Sequence, residues 1–239
     1  MSKVTQTVIL SAGLGTRLRP LTDNLPKVMV PILGRPLLGY HLEQLKKCGV
    51  DEVFLNLHYL PDVIRNYVGD GSKWGVKVTY KFESEIRGTA GGIKNFESDL
   101  KDRFFVIYGD MFSLLDYEKL AAEHDKNPES LGVAVVGNPD HPEDSDIVEL
   151  DVDGKIVKLH RKPHAKLPER YKELLATYLF TRRLFDYIPD VNTSNLDHEV
   201  LPVALAKENM HTFETSDYVK DVGTPERYRA VEDYLARQK

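Results

Sequence analysis

Apolar and polar positions along this chain follow two alternating rhythms. Residues 4–10 (VTQTVIL) form a short, β-branched run of the kind that makes a buried strand. Over residues 36–48, Leu37, Leu38, His41, Leu42 and Leu45 recur on a helical period. Pro36 suits the first helical position there, and Gly49 suits the stop. The rhythms then take turns. EVFLNLHY (52–59) reads as strand, and a helix opens at Pro61 and runs through Tyr67. GVKVTYKF (75–82) is strand, TAGGIKNFESDL (89–100) helix, and RFFVIYGD (103–110) a very apolar strand ending at Asp110. DYEKLAAEHDK (116–126) is a helix with Asp116 as N-cap, and LGVAVVG (131–137) is again a buried strand. Near-continuous apolar strands separated by helices predict a parallel sheet covered on both faces.

After about residue 138 the rhythm changes. DIVELDVDGKIVKLHRKP (146–163) predicts a β-hairpin turning at Asp153-Gly154. LLATYLF (174–180) is strand and RRLFDYI (182–188) a short helix. LDHEVLPVALAKE (196–208) is helical with Pro202 as an interruption. MHTFETSDYVKDVG (210–223) returns to strand, and residues 224–238 form a terminal helix with Thr224 as N-cap and Pro225 at N1. The expectation is one α/β domain over residues 1–239: a Rossmann-like mixed, mainly parallel sheet flanked by helices. Its halves would be about 1–138 and 139–239.

Composition narrows the class. The chain has 239 residues, 41% hydrophobic and 29% charged, which is ordinary for a soluble globular protein. A net charge of −5 argues against a nucleic-acid partner, so locally clustered cations carry more information than the total. Cys48 is the single cysteine, which excludes an internal disulfide and a cysteine-based zinc site. No stretch approaches the ~20 apolar residues of a membrane helix, and the N-terminal apolar run is too short for a signal peptide. A cytoplasmic protein without a membrane partner is expected.

The chemistry begins where the first strand ends, in LSAGLGTRLRPLTDNLPKVMVP (10–31). Gly13 and Gly15 allow the backbone to approach an anion and present N–H groups to it. A dinucleotide fingerprint fails, because its third glycine position is Leu18 and the second strand ends in LNLHY with no acid suitably placed for a ribose. A P-loop fails for want of G-K-[ST]. A tight structural turn would account for the glycines alone. However, Arg17, Arg19 and Lys27 share the segment, and Pro20, Pro26 and Pro31 restrict it. Cations held around backbone donors make a site for a polyphosphate and for charge developing in phosphoryl or nucleotidyl transfer.

GLGTRLRPLTDNLPKVMVPILGRP resembles the signature of the sugar-1-phosphate nucleotidyltransferases, G-x-G-T-R-L-x-P-L-T followed by P-K-x-x-x-P. ESEIRGTAGGI (83–93) resembles that family's base-binding loop, and YGD and YVKDVGTPERY resemble its two metal-carboxylate motifs. The resemblance spans about residues 4–235. It implies transfer of a nucleoside monophosphate from a triphosphate to a sugar 1-phosphate, with release of pyrophosphate. The nucleophile would be a phosphate oxygen, already anionic near neutral pH because a monoester's second pKa is about 6. No general base is then needed, and catalysis is alignment plus charge neutralisation.

By resemblance, Asp110 and Asp221 meet on one Mg2+ at the α-phosphate, an oxygen-rich setting that this ion prefers. Arg17 is assigned to the β- and γ-phosphates, and Lys27 to the α-phosphate and the attacking phosphate. Gly15 and Thr16 belong to the same signature. The backbone of Leu10, Ala12 and Gly13 would line the base pocket, joined by Glu83, Gly88 and Thr89. Lys162 in HRKP resembles a lysine that contacts the sugar phosphate. The second half of the chain would thus hold the sugar and complete the metal site.

Glu83 stands where thymidylyl and uridylyl members often carry glutamine. A carboxylate accepts from both adjacent donors of guanine, whereas an amide offers a mixed edge that suits uracil. GTP is therefore the expected triphosphate, with Glu85 as the alternate to Glu83 and CTP and UTP as alternatives. In the sugar region the chain departs from the pattern: Arg161 replaces the glutamate of E-K-P, and Leu175, Ala176 and Thr177 replace N-A-G. The short form, without a repeat tail, resembles bacterial guanylyltransferases acting on mannose 1-phosphate or D-glycero-D-manno-heptose 1-phosphate. An acceptor of heptose or mannose type, destined for surface polysaccharide, is expected, in a monomer or homodimer. A non-catalytic, ligand-sensing subunit is the rival class, although Arg17, Lys27, Asp110 and Asp221 are all present. His160 and His164 are spaced H-x3-H, but Pro163 between them disfavours the helix a zinc pair would use.

Overall fold

The computed structural model describes residues 3–238. Two compact units are present, and neither is a continuous stretch of chain. The glycine-loop unit comprises Thr5–Ile86, Ile107–Leu115 and the C-terminal segment from Asp217. The hairpin unit is built mainly from Arg87–Val106 and Asp116–Ser216.

In the glycine-loop unit, strands Gln6–Leu10, Glu52–Leu57 and Lys77–Phe82 lie side by side, all parallel. Val8, Ile9, Val53 and Leu55 are fully buried, which is why these strands read as apolar runs. Helix Leu37–Lys47 buries Leu37, Leu38, His41, Leu42 and Leu45, the face its period announces. Pro36 is a correction to the sequence reading. It is the N-cap, not the first helical residue, because its ψ of 137° is extended and it pairs with Pro31. Gly49 takes the left-handed conformation after the helix, at φ 77°. Pro61 opens helix Pro61–Val68 as expected.

The segment read as one strand over 210–223 is two. Met210–Glu214 belongs to the hairpin unit, whereas Val219–Asp221 pairs antiparallel with Met111–Ser113 in the glycine-loop unit. Helix Pro225–Ala236 follows, its N-cap Thr224 accepting from the Arg227 N–H. Val222 and Val231 then pack with Leu18, Val30, Ile32, Leu37 and Phe112 in one buried cluster. Leu18 and Val30 belong to the glycine loop itself, so the C-terminal helix helps to fix that loop's shape.

In the hairpin unit, Tyr171–Thr181 pairs antiparallel with Gly132–Gly137 and with Ile147–Leu150. Ile147–Leu150 pairs with Ile156–His160 to complete the expected hairpin, whose turn is held by Asp151 accepting from the N–H groups of Asp153 and Lys155. Met210–Glu214 runs parallel to Gly132–Gly137. The helix expected over 89–100 covers only Gly88–Lys94. Interior Gly91 and Gly92 lower its propensity, and Phe96 and Leu100 are buried through turns instead. At Pro202 a widened turn, Leu196–Val200, leads into helix Leu201–Leu205. Proline has no N–H and crowds the carbonyl four residues back, which forces such a widening.

Two expectations on stability follow. Asp116 accepts from the N–H groups of Glu118 and Lys119 at 3.0 and 3.2 Å. Asp116→Ala should therefore cost about 1 kcal/mol in urea unfolding. His41, buried in the core, is lowered to about 4 by that burial, against weaker opposing contributions from the Gly109 and Met111 backbone and the Asp110 charge. The unfolded chain binds this proton below the ordinary value of 6.5, and the folded chain does so only near 4. Stability is thus fully present above about pH 6.5 and falls as pH drops through this window, by up to about 1.4 kcal/mol per unit. Urea midpoints at pH 7 and 5 should show this slope, and His41→Gln should flatten it.

Candidate active site

The glycine loop leaves the sheet at Leu10 and is braced from within. Gly15 is left-handed at φ 65°, and a Cβ there would stand 2.9 Å from Thr22 Cγ2. Thr22 in turn donates from its hydroxyl to the Gly15 carbonyl at 2.7 Å. The Tyr59 hydroxyl donates to the Asp23 carbonyl, also at 2.7 Å. Residues 16–18 make one 3-10 turn, which buries Leu18 and leaves Thr16 and Arg17 exposed. Gly13 is exposed, and a Cβ on it would meet nothing within 4 Å, so its backbone is open to approach. Ala12 is buried beside it.

Four residues from four segments converge within this unit. A second 3-10 turn, Lys27–Met29, buries Val28 and Met29 and so directs Lys27, whose ammonium pairs with Asp110 Oδ2. Asp110 follows strand Arg103–Tyr108 through Gly109, whose N–H donates to the Leu10 carbonyl at 3.0 Å. A Cβ on Gly109 would stand 2.6 Å from both that carbonyl oxygen and Val28 Cγ1, so only glycine allows this approach. The Asp110 carbonyl accepts from the Val222 N–H at 2.7 Å, and Asp221 stands opposite Met111 in the short ribbon. The two acids, 111 residues apart in sequence, are thereby anchored at one end of the ribbon, Asp221 as the last residue of one strand and Asp110 just before the other. Asp221 Oδ2 accepts from Arg227 Nη1 at 2.6 Å. A Cβ on Gly223 would strike Asp221 Oδ1 and come within 3.3 Å of Arg17 Nη2, so the Arg17 guanidinium lies beside Asp221.

Among the described residues, no group of three or more His, Cys, Asp or Glu side chains is placed to hold a metal. Two carboxylates on one ribbon nevertheless match the donor set of Mg2+, which takes one or two carboxylates and fills its octahedron with phosphate oxygens and water. Both acids are now satisfied by cations of the chain itself.

Glu83 lies at the carboxyl end of the neighbouring strands and is 3% exposed. Its Oε1 accepts from Asn56 Nδ2 at 2.9 Å, and Asn56 Oδ1 accepts from the Ser11 N–H at 2.7 Å. A ring nitrogen of His58, Nδ1, lies 2.8 Å from the Glu83 carbonyl oxygen. Glu83 is thus wired to the backbone between Leu10 and Ala12.

Gly88, Thr89 and Lys162 belong to the hairpin unit. The Thr89 hydroxyl oxygen accepts from the Leu196 N–H at 2.7 Å, and the Ser194 carbonyl accepts from Ala90 and Gly91. A Cβ on Gly88 would collide with that Ser194 carbonyl. Lys162 is exposed, its N–H held by Asp146 Oδ1 at 3.1 Å and its ammonium 3.2 Å from Asp144 Oδ1. His160 pairs with Glu149 and His164 with the Ser145 carbonyl, each taking its own partner.

Residues 6–238 match the family model described as Nucleotidyl transferase. The chain belongs to the nucleotidyl transferase family. It is 32% identical over 224 residues to "Mannose-1-phosphate guanylyltransferase" of Mycobacterium tuberculosis, covering 92% of this chain and 62% of that one. Over 249 residues it is 29% identical to "UTP--glucose-1-phosphate uridylyltransferase" of Synechocystis, covering 97% of this chain and 63% of that one. The chain therefore spans less than two thirds of the length of these curated relatives. Among solved structures, HddC from Yersinia pseudotuberculosis aligns with a TM-score of 0.81 at 27% identity, covering 97% of this chain and 100% of that chain. The same protein has been crystallised with GMP-PN. The mixed, mainly parallel sheet flanked by helices is the fold this chain shares with that structure.

Sequence reasoning missed four residues of this site. Gly109 and Gly223 make close approaches that only the fold reveals. Arg227 reaches back to Asp221, and an arginine six residues after an acid carries no signal by itself. Asn56 sits mid-pattern in a strand. Its one available signal is a polar residue among Phe54, Leu55 and Leu57, all buried.

No helix among the described residues is long and apolar enough to cross a membrane.

Proposed function

We propose that this nucleotidyl transferase moves a guanylyl group from GTP to a sugar 1-phosphate of mannose or heptose type, releasing pyrophosphate. The convergence of Arg17, Lys27, Asp110 and Asp221 carries this reading. The acids stand on the ribbon and the cations on the braced loop, so groups that could bind a metal and groups that could bind phosphates meet in one place. Arg17 would hold the β- and γ-phosphates, which depart as pyrophosphate. Lys27 would leave Asp110 to meet the α-phosphate and the incoming phosphate oxygen. Asp110 and Asp221 would hold Mg2+, which when bound lowers the repulsion between the two anionic substrates. Gly13, Gly15 and Thr16 would supply backbone donors, and Leu10 and Ala12 one wall of the base site. Glu83 supports guanine by its acceptor oxygens, as do the guanylyl relative at 32% identity and the GMP-PN complex of HddC. In the hairpin unit, Gly88 and Thr89 would touch the base and Lys162 the acceptor's phosphate. The sugar nucleotide would feed surface polysaccharide from the cytoplasm.

The Synechocystis relative favours a second reading, uridylyl transfer. Pyrophosphate release, measured with four triphosphates against hexose and heptose 1-phosphates, separates the two. GTP with a mannose or heptose 1-phosphate should give the highest rate, and EDTA should abolish it. A preference for UTP would replace the guanylyl reading. Silence across the whole panel would overturn transferase activity.

A further inference from the structure

We infer that Arg227 is a resident counter-ion of Asp221, which a divalent cation must displace, so that the site disfavours that cation alone and admits it together with a triphosphate. The inference deepens the transferase reading and rests on its assignment of Asp110 and Asp221 to one metal. Five charged side chains meet within the glycine-loop unit: Asp110 and Asp221 with Lys27, Arg227 and Arg17. Lys27 pairs with Asp110 Oδ2, and Arg227 Nη1 donates to Asp221 Oδ2 at 2.6 Å. A Cβ on Gly223 would strike Asp221 Oδ1 and stand 3.3 Å from Arg17 Nη2, so Arg17 flanks the same carboxylate. These three cations outnumber the two acids, and the five together carry a net positive charge. Such a cluster repels a lone dication and attracts a polyanion.

The pair is fixed in place and still within reach of solvent. Asp221 and Arg227 are each 27% exposed, so salt screens them only in part and an incoming ion can reach them. Arg227 stands in the first turn of helix Pro225–Ala236, and its N–H donates to Thr224 Oγ1 at 3.3 Å. The next residue, Tyr228, donates from its hydroxyl to the Pro31 carbonyl at 2.7 Å, and Val231 packs with Leu18 and Val30. The helix that carries Arg227 is thereby locked to the loop that carries Arg17 and Lys27. Charge balances in the exchange: Lys27 and Arg227 bring two positive charges to the two acids, and one divalent ion brings the same number. A triphosphate offers the displaced cations anionic oxygens to meet. Without it they would stay beside the ion, and their repulsion would be uncompensated. Arg227 acts through Asp221, as a positioning residue that sets when the carboxylate becomes available.

The test is metal binding, measured without turnover. Binding of Mn2+ alone is followed by electron paramagnetic resonance, and binding of preformed Mn2+–tripolyphosphate by calorimetry. The proteins are the wild type, R227M, R227Q, R227K, D221N and R227M/D221N. R227M and R227Q should bind Mn2+ alone about three- to tenfold more tightly than the wild type, the scale of one partly screened charge pair. Neither should gain affinity for the tripolyphosphate complex. R227K keeps the charge and a donor, and should stay close to the wild type. R227M/D221N should bind Mn2+ no more tightly than D221N, because the effect of Arg227 passes through that carboxylate. Unchanged Mn2+ binding in R227M and R227Q overturns the inference. Weaker binding there overturns it too, since Arg227 would then support the carboxylate for the metal. A gain that persists in the D221N background marks a general field effect and overturns it as well.

Failure of the underlying reading looks different. If D221N binds Mn2+ as the wild type does, the metal assignment falls and the inference falls with it. If the wild type prefers another base, the guanylyl reading falls, while the Mn2+ and tripolyphosphate comparisons, which contain no base, still decide the role of Arg227.

Discussion

Replacing Asp110 with asparagine is expected to lower kcat/KM for pyrophosphate release by about a thousandfold or more, the range seen when a charge-stabilising group is removed from a transition state. Asparagine keeps the size and one oxygen, so the ribbon that joins the Asp110 carbonyl to the Val222 N–H is left intact. What is lost is the charge that would hold the metal and that now pairs with Lys27. Asp221→Asn should have an effect of similar size, because the two acids would serve one ion. For the same reason the double variant should be scarcely worse than either single one, since groups that act as a unit are not additive. A Mg2+ titration provides the check. Both variants should need more metal for half-maximal rate, with thermal midpoints within a few degrees of the wild type. Full activity in either variant at ordinary Mg2+ would remove that acid from the site.

Lys27→Met is the second large effect, expected to lower kcat by about a hundredfold or more. Lys27 pairs with Asp110 and stands on a turn pinned by buried Val28 and Met29, so its ammonium is delivered to one place at low entropic cost. Methionine keeps the apolar stem and removes the charge. If Lys27 acts on charge that develops during transfer, the loss falls on kcat and leaves KM for the triphosphate nearly unchanged. Arg17→Met should differ, because Arg17 is assigned to phosphates bound before and during reaction: KM rises along with the fall in kcat. Equal KM effects in the two variants would contradict the division of roles. Lys27 and Asp110 are in contact, so the Lys27→Met and Asp110→Asn losses should not add.

The features legible in the sequence are those with short-range causes. Asp116 and Thr224 cap their helices because a capping oxygen needs a partner only two or three residues away. The alternation of apolar strands with helices showed itself because burial on both faces leaves a continuous apolar run, as in Phe104–Ile107. The features that stayed hidden depend on partners far along the chain. Pro36 looked like a first helical residue until its pairing with Pro31 pulled it into extended conformation. Residues 210–223 read as one strand because the two pieces, Met210–Glu214 and Val219–Asp221, share a composition and differ only in what they pair with. Arg17, Lys27, Asp110 and Asp221, which the fold brings into one unit, were singled out through three motifs, the glycine-loop signature, YGD and YVKDVGTPERY. Asn56 was not, because its meaning comes from a backbone N–H 45 residues earlier and a carboxylate 27 residues later.

The central claim is that two distant acids and a braced cationic loop close around one triphosphate. The most direct test is a crystal structure with Mn2+ and a non-hydrolysable GTP analogue, with the metal placed by its anomalous signal. Manganese should lie between the carboxylates of Asp110 and Asp221, with Arg17 on the terminal phosphates and Lys27 turned from Asp110 toward the α-phosphate. Manganese bound elsewhere, or a nucleotide whose phosphates touch neither cation, would contradict the account.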